Sequence, residues 1–291
     1  LMWLVAFLRG GWRGHSIAAF IGFWAIGLHQ VHVHPLFSAP FLIALLVGGY
    51  GPRRYVWPYI FAYGLALPIW MMWPELAIWL QTGDTSVLPH SILEIEYIQN
   101  YLKFANAAGV TSFNLPWELL ALNIMRFCLW ISPALIVLIL VGLAMRRNLG
   151  LTPMLLLASF SITVLVTHVL MSTQEQSWGS RYYHPVLGNL VLFGLAGYYA
   201  LDDRVFFIKF RRVILALIVI SILVFVPWRG LQVSEKVGPR AAVQMEIERI
   251  DADFVLIIAR GFRYPYDFIR NRPDLGNRPL LVGPYNSEVI T

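Results

Sequence analysis

Long apolar runs separated by short basic clusters dominate this chain, and they leave few folds open to it. Up to position 228 the sequence carries 13 Lys and Arg residues, ten of them in four clusters. The clusters are Arg9 with Arg13, Arg53 with Arg54, Arg146 with Arg147, and Arg204 with Lys209, Arg211 and Arg212. Threading the apolar runs alternately through a bilayer puts all four on one side. Basic loops resist translocation, so this asymmetry sets the orientation and marks the clustered side as cytoplasmic. The opposite loops hold the His, Gln, Trp, Tyr and acidic residues. The expected fold class is an all-α polytopic membrane protein whose chemistry faces away from the cytoplasm.

Composition supports this. A hydrophobic fraction of 58% with 13% charged residues lies outside the range of ordinary soluble domains. The net charge of +6 is spent on loops that flank spans, and no basic face with interleaved aromatics is present, which argues against a nucleic-acid partner. The bilayer itself is the expected partner, with Trp57, Trp70, Trp73, Trp117 and Trp228 near span ends as an interfacial belt. One cysteine, Cys128, excludes an intrachain disulfide and a CxxC centre.

The apolar runs place seven spans at about residues 15–31, 36–50, 55–73, 117–144, 151–170, 186–201 and 213–226. Pro58 and Pro68 are expected to kink the third. Residues 1–8 are too short to cross roughly 30 Å of hydrocarbon and read as the tail of a span that begins upstream, so the sequence reads as a fragment. Outer loops are expected at 29–35, 74–117 and 171–185. Within the second, residues 91–109 have helical periodicity with one apolar face, suited to lying along the membrane surface. Beyond residue 228, 9 basic and 8 acidic residues accompany two expected strands, 254–258 and 279–282, and two expected helices, 240–250 and 264–270. These predict a small extracytoplasmic α/β domain over 229–291. The Gly-Pro-Arg triplets at 51–53 and 238–240 read as turns.

Three groups of residues are candidates for chemistry. The loop Gln174-Glu175-Gln176-Ser177-Trp178-Gly179-Ser180-Arg181-Tyr182-Tyr183-His184-Pro185 packs a carboxylate, amides, a guanidinium, phenols and an imidazole between two spans. A guanidinium suits bidentate phosphate binding, and Pro185 at the start of a helix would aim that helix's N–H groups at the same place. The competing reading is an interfacial loop whose arginine snorkels to headgroups. His29, Gln30, His32 and His34 form a second group. Three imidazoles at a turn suit a metal, hydrogen bonds to substrate, or hydrogen bonds that cap a hairpin, and no neighbouring carboxylate supports the metal. Arg126, one turn beyond Asn123 inside a span, marks a functional or partnered position, or else snorkels outward. His168 lies near the outer end of the fifth span with Thr163 and Thr167. No GxGxxG, P-loop, GxSxG or HExxH motif occurs, and no cofactor is implied.

HQVHVHPLFSAPFLIALL, WGSRYYHPVLGNLVLFGLAG and FIRNRPDLGNRPLLV resemble a family of bacterial polytopic proteins related to the GT-C glycosyltransferases. Those enzymes use polyprenyl-phosphate sugars, like the protein mannosyltransferases and the aminoarabinose transferases of lipid A. The resemblance spans essentially the whole chain. Its link to GT-C enzymes rests on topology and on a span-opening Arg-Tyr…Pro, here Arg181, Tyr182 and Pro185. It implies a bacterial inner-membrane protein that transfers sugar from a polyprenyl-phosphate donor to a glycan, lipid or protein acceptor at the outer face. Arg181 would then bind the donor. The family's catalytic carboxylate lies in its first external loop, and no Asp-Glu pair precedes Arg9, so the base transfers to no residue of this chain. A transporter or lipid-handling protein and an inactive membrane scaffold are the other readings of the same pattern.

Overall fold

The computed structural model describes residues 1–28, 31–89, 91, 94–95, 98–99, 117–170, 181–201, 204–258, 268–272 and 275–285. Helices account for most of them, with a single pair of strands. The chain forms two compact units, Leu1–Val219 and Ile220–Thr291.

The first unit opens with α1 (Met2–Arg9) and α2 (Gly11–Gly27), joined where Gly10 and Gly11 both take left-handed φ values of 66° and 63°. Two successive left-handed residues are tolerated only because neither has a Cβ. Next come α3 (Val33–Leu46), α4 (Trp57–Met71) and α5 (Trp73–Thr82). Asp84 then caps a short 3-10 turn by accepting the Ser86 amide at 2.8 Å, which holds its carboxyl below the usual range. After the undescribed segment come α6 (Trp117–Trp130), α7 (Pro133–Ala144), α8 (Leu151–Leu170), α9 (Leu187–Tyr199) and α10 (Arg204–Ile220).

Two apolar clusters organise these helices. Trp3, Phe7, Ile26, Phe41, Leu45, Tyr59 and Tyr63 gather α1 to α4, with Leu156 of α8. Phe127, Leu135, Val164, Tyr183 and Leu190 gather α6 to α9. The distribution of polarity is compatible with a membrane environment. Large apolar side chains are exposed, among them Phe61 at 76% and Phe20 at 64%. His15, Ser38, Asn123, Ser159, Thr163, Thr167, His168 and Asn189 are buried. Water would reverse that arrangement, whereas a bilayer favours it, because polar groups then find partners only inside the bundle.

Seven spans are not reproduced. Among the described residues, two helices are long and apolar enough to cross a membrane, Leu151–Val169 and Ile208–Arg249. The number rises to four if two bent pairs each count once: Arg53–Met71 with Trp73–Thr82 (66°), and Trp117–Trp130 with Pro133–Ala144 (117°). α2, α3 and α9 have 17, 14 and 13 residues, so at ~1.5 Å per residue α3 and α9 fall well short of ~30 Å.

The breaks have local causes. Ser132 accepts the Ala134 amide at 3.2 Å and Pro133 occupies the first helical turn, so a new helix starts inside what reads as one apolar run. Pro58, expected to kink α4, sits harmlessly in its first turn, and the bend comes at Met72, past Pro68 and before Pro74. The loop expected at 29–35 is shorter, since His34 and Pro35 already belong to α3. The loop expected from 74 begins after α5 instead. Most of the helix expected at 91–109 lies outside the described residues.

The second unit begins with a π-helical stretch, Ser221–Phe225, followed by α11 (Val226–Arg249). The turn expected at 238–240 is instead helical, with Pro239 inside α11. β1 (Phe254–Ile258) pairs in parallel with β2 (Leu280–Tyr285), Phe254 opposite Leu280, with a register shift between Leu256 and Ile258. Ile247, Ile257, Phe268 and Leu281 form its core. The strands fall where the sequence places them, while most of the helix expected at 264–270 lies outside the described residues.

Asn271 serves as a substitute strand on β2. Its Oδ1 accepts the Leu281 amide at 2.8 Å and its Nδ2 donates to the Leu281 carbonyl at 2.7 Å. Removing both bonds by Asn271→Ala should cost about 2 kcal/mol locally. Hydrogen–deuterium exchange at Leu281 should then accelerate by at least roughly tenfold, and an unchanged rate would mean that the amide is held by something else.

Candidate functional site

Two neighbouring features of the first unit form the candidate site: the turn that precedes α9, and a cavity beside it. The turn is a 3-10 helix, Arg181–Val186. Its anchor is Tyr183, fully buried, whose ring meets Phe127 of α6 edge-on at 6.0 Å. His184 is exposed, with its ring 6.5 Å from Phe127. Arg126 is the residue before Phe127, partly buried and without an ion pair among the described residues. The structure therefore brings the helix of Arg126 against the turn that begins at Arg181. Asn123, one turn earlier on α6, is buried.

The expected geometry at Pro185 needs correction. Pro185 does not open a helix; it lies within the 3-10 turn, and α9 starts at Leu187 with no side-chain cap. The turn, not a proline-led helix end, is therefore what Arg181 and Tyr182 belong to. Gln174, Glu175 and Gln176 lie outside the described residues, as do His29 and Gln30.

Pro185 and Val186 also wall a cavity of about 520 Å³ between α1, α2, α3, α8 and α9. Trp3, Ile21, Phe37 and Leu192 contribute apolar surface, and the polar side chains at its wall are His34 and Asn189. Asn189 donates to the Leu156 carbonyl at 3.3 Å, and His34 Nε2 is hydrogen-bonded to the Tyr63 hydroxyl at 3.0 Å. The His34 ring meets Trp3 edge-on at 5.8 Å. Room for Tyr63 comes from Gly22, where a Cβ would stand 2.5 Å from the hydroxyl.

His32 and His34 do not converge. Two residues apart near the start of α3, they sit about 200° apart around its axis. His34 reaches α4, while His32 Nε2 lies 3.4 Å from Thr167 Oγ1 on α8. No group of three His, Cys, Asp or Glu side chains able to hold a metal occurs among the described residues.

Sequence reasoning missed how the buried polar groups pair. Ser159, Thr163 and Thr167 recur every fourth residue along one face of α8, all fully buried with His168 beside them. Ser159 donates to the Phe37 carbonyl at 2.7 Å, tying α8 to α3. His15, read only as the start of a span, is fully buried, with Nδ1 3.0 Å from the Tyr59 hydroxyl and its ring stacked on Tyr55 at 5.0 Å. The available signal was the spacing of Tyr59 and Tyr63, which puts two phenols on one face of α4. Trp70 is likewise no simple belt residue, for its Nε1 donates to the Phe23 carbonyl at 2.8 Å.

Tyr63→Phe keeps the ring and deletes the bond to His34. It should cost about 1–3 kcal/mol, because a partly buried imidazole loses its partner. The loss reads out as a fall in Tm of the detergent-solubilised protein, and an unchanged Tm would deny the bond any structural role. No family model, curated protein or solved structure matches this chain.

Proposed function

We propose that this is a multi-pass membrane protein that transfers a sugar from a polyprenyl-phosphate donor to an acceptor at the extracytoplasmic face. In this reading the shorter helices α2, α3 and α9 are also bilayer-embedded, and residues 229–291 are extracytoplasmic. The observation that carries the proposal is the cavity of about 520 Å³, apolar apart from His34 and Asn189, whose wall includes Pro185 and Val186 of the turn begun by Arg181. An isoprenoid chain suits the apolar part, and a guanidinium suits the phosphate that follows it. The resemblance to GT-C enzymes points the same way. An acceptor hydroxyl would attack the anomeric carbon as the bond from that carbon to the phosphate oxygen breaks. The hydroxyl proton passes to a base, and the lipid phosphate leaves with the bonding electrons, stabilised by Arg181 with Arg126 and His184 nearby.

Release of polyprenyl phosphate tests this without knowledge of the acceptor. The protein, reconstituted in proteoliposomes with an envelope extract, is offered a panel of polyprenyl-phosphate sugars. Protein-dependent release from one donor is the expected result, and intact donors throughout would overturn the reading. The bent pairs α4–α5 and α6–α7 favour a second reading, since broken helices accompany substrate sites in transporters. Movement of labelled lipid between leaflets with the donor left intact would select it.

A further inference from the structure

A second concavity, of about 610 Å³, runs between α2 and α4. Its floor is made of small residues, Ser16, Ala19 and Ala62, and its walls are Phe20, Phe61 and Leu65, all strongly exposed. Ser16 is its one polar side chain.

One end is strongly cationic. Trp12 and Trp57 close the groove there, and Arg13 follows the first in sequence, while Arg53 and Arg54 precede the second on the 3-10 turn leading into α4. The two basic segments meet at Tyr55: the Trp12 ring lies 6.3 Å from it, and the Arg54 guanidinium stands 5.8 Å over it. Arg13, Arg53 and Arg54 are all exposed, and no ion pair engages them among the described residues. Three arginines with no ion pair among the described residues, on the segments whose indoles close an apolar slot, complement one kind of molecule: a phosphate on the end of a hydrocarbon chain.

We infer that the α2–α4 groove binds an anionic phospholipid, with an acyl chain along Ala19 and Ala62 and the headgroup phosphate at Arg13, Arg53 and Arg54. Another transmembrane helix would fit the apolar floor, but it would leave the three charges unanswered. A zwitterionic lipid would fill the slot, but it would bring no net charge to them. The inference rests on the placement of these helices in a bilayer and is independent of sugar transfer. Basic pockets between helices at the cytoplasmic surface are where anionic headgroups are held, and each Lys or Arg contributes measurably.

The whole protein, purified in a mild non-ionic detergent, is titrated with phosphatidylglycerol or phosphatidylcholine of matched chains, and bound lipid is counted by native mass spectrometry. Phosphatidylglycerol should bind roughly tenfold more tightly, with the preference shrinking as salt rises. Replacing Arg13, Arg53 and Arg54 together by Gln should abolish the preference, and replacing them by Lys should keep most of it. Ala62→Phe fills the groove and leaves the arginines in place, so it should weaken binding of phosphatidylglycerol. All variants are compared as monodisperse material, which separates lost binding from lost folding. Equal affinities for the two lipids, a preference that survives the Gln substitutions, or unchanged binding by Ala62→Phe would each overturn the inference. So would efficient disulfide cross-linking of Phe61→Cys in a Cys128→Ser background in phosphatidylglycerol vesicles, which would put a second copy of the chain in the groove.

Discussion

Gly197→Val should be among the most damaging single substitutions in the helical unit, costing about 3 kcal/mol or more. α7 and α9 cross with almost no side chain between them. A Cβ built on Gly197 would collide with the Gly142 Cα and stand 2.6 Å from the Gly142 amide nitrogen. One turn earlier, a Cβ on Gly194 would lie 2.8 Å from Leu138 Cβ and 3.0 Å from its carbonyl carbon. Gly142 in turn faces Phe193, where a Cβ would sit 2.6 Å from a ring carbon. Backbone cannot rotate aside as a side-chain tip can, so valine must push the helices apart along the whole crossing. Ordinary overpacking costs about 1–3 kcal/mol, and a clash with backbone belongs to the upper tail.

Close approach through small residues is how helices associate where lipid removes the hydrophobic driving force. The loss would therefore show as a lower Tm in detergent and as reduced recovery from membranes. Gly64→Ala is the internal control. No heavy atom lies within 4 Å of its added Cβ, so its stability should stay within about 1 kcal/mol of wild type. If Gly197→Val were as stable as Gly64→Ala, α7 and α9 would not cross at these glycines.

The same crossing shows what the sequence made legible and what it hid. Apolar runs located the helices of the expected spans, while α5 fell where an outer loop was expected and α6 and α7 divide a single expected span. The runs did not locate helix ends. Ser132-Pro133 is a recognisable helix start, yet it sits inside an unbroken apolar stretch, and apolarity hid a 117° bend. Pro68 and Pro239 misled in the opposite sense, since each is accommodated within its helix. β1 was legible to the residue, within an apolar run set between Asp253 and Arg260 in the sequence. Pairings between distant segments were not: His15 with Tyr59 and Ser159 with Phe37 span 44 and 122 positions. Periodicity puts residues on a helix face without saying which helix that face meets. Of the site residues, the structure joins the Arg181 turn to the helix of Arg126 and puts His34 on the adjoining cavity. It separates His32 from His34, because neighbouring helices claim opposite sides of α3.

Arg181→Ala should lower donor-dependent release of polyprenyl phosphate by about a hundredfold or more if the proposed transfer is right. The departing phosphate gains charge as the anomeric bond breaks, and a guanidinium held where that charge develops stabilises the transition state more than the ground state. Removing one such preorganised donor typically costs ~10²–10³ in kcat, or about 3–4 kcal/mol. In the proposed transfer the turn is held by Tyr183, whose buried ring packs edge-on against Phe127. Arg181→Lys should recover part of the loss only, because an ammonium offers a point charge where the guanidinium offers a planar fork. The division between kinetic constants identifies the role. A fall in kcat at unchanged donor KM assigns Arg181 to the leaving phosphate in the transition state, whereas a rise in KM alone assigns it to ground-state binding. His184→Ala should have a smaller effect, since that imidazole is exposed and solvent screens its interaction with the phosphate. Release that is unaltered by Arg181→Ala, in a protein whose Tm is also unaltered, would remove the turn from the chemistry and leave the cavity as a lipid-binding feature alone.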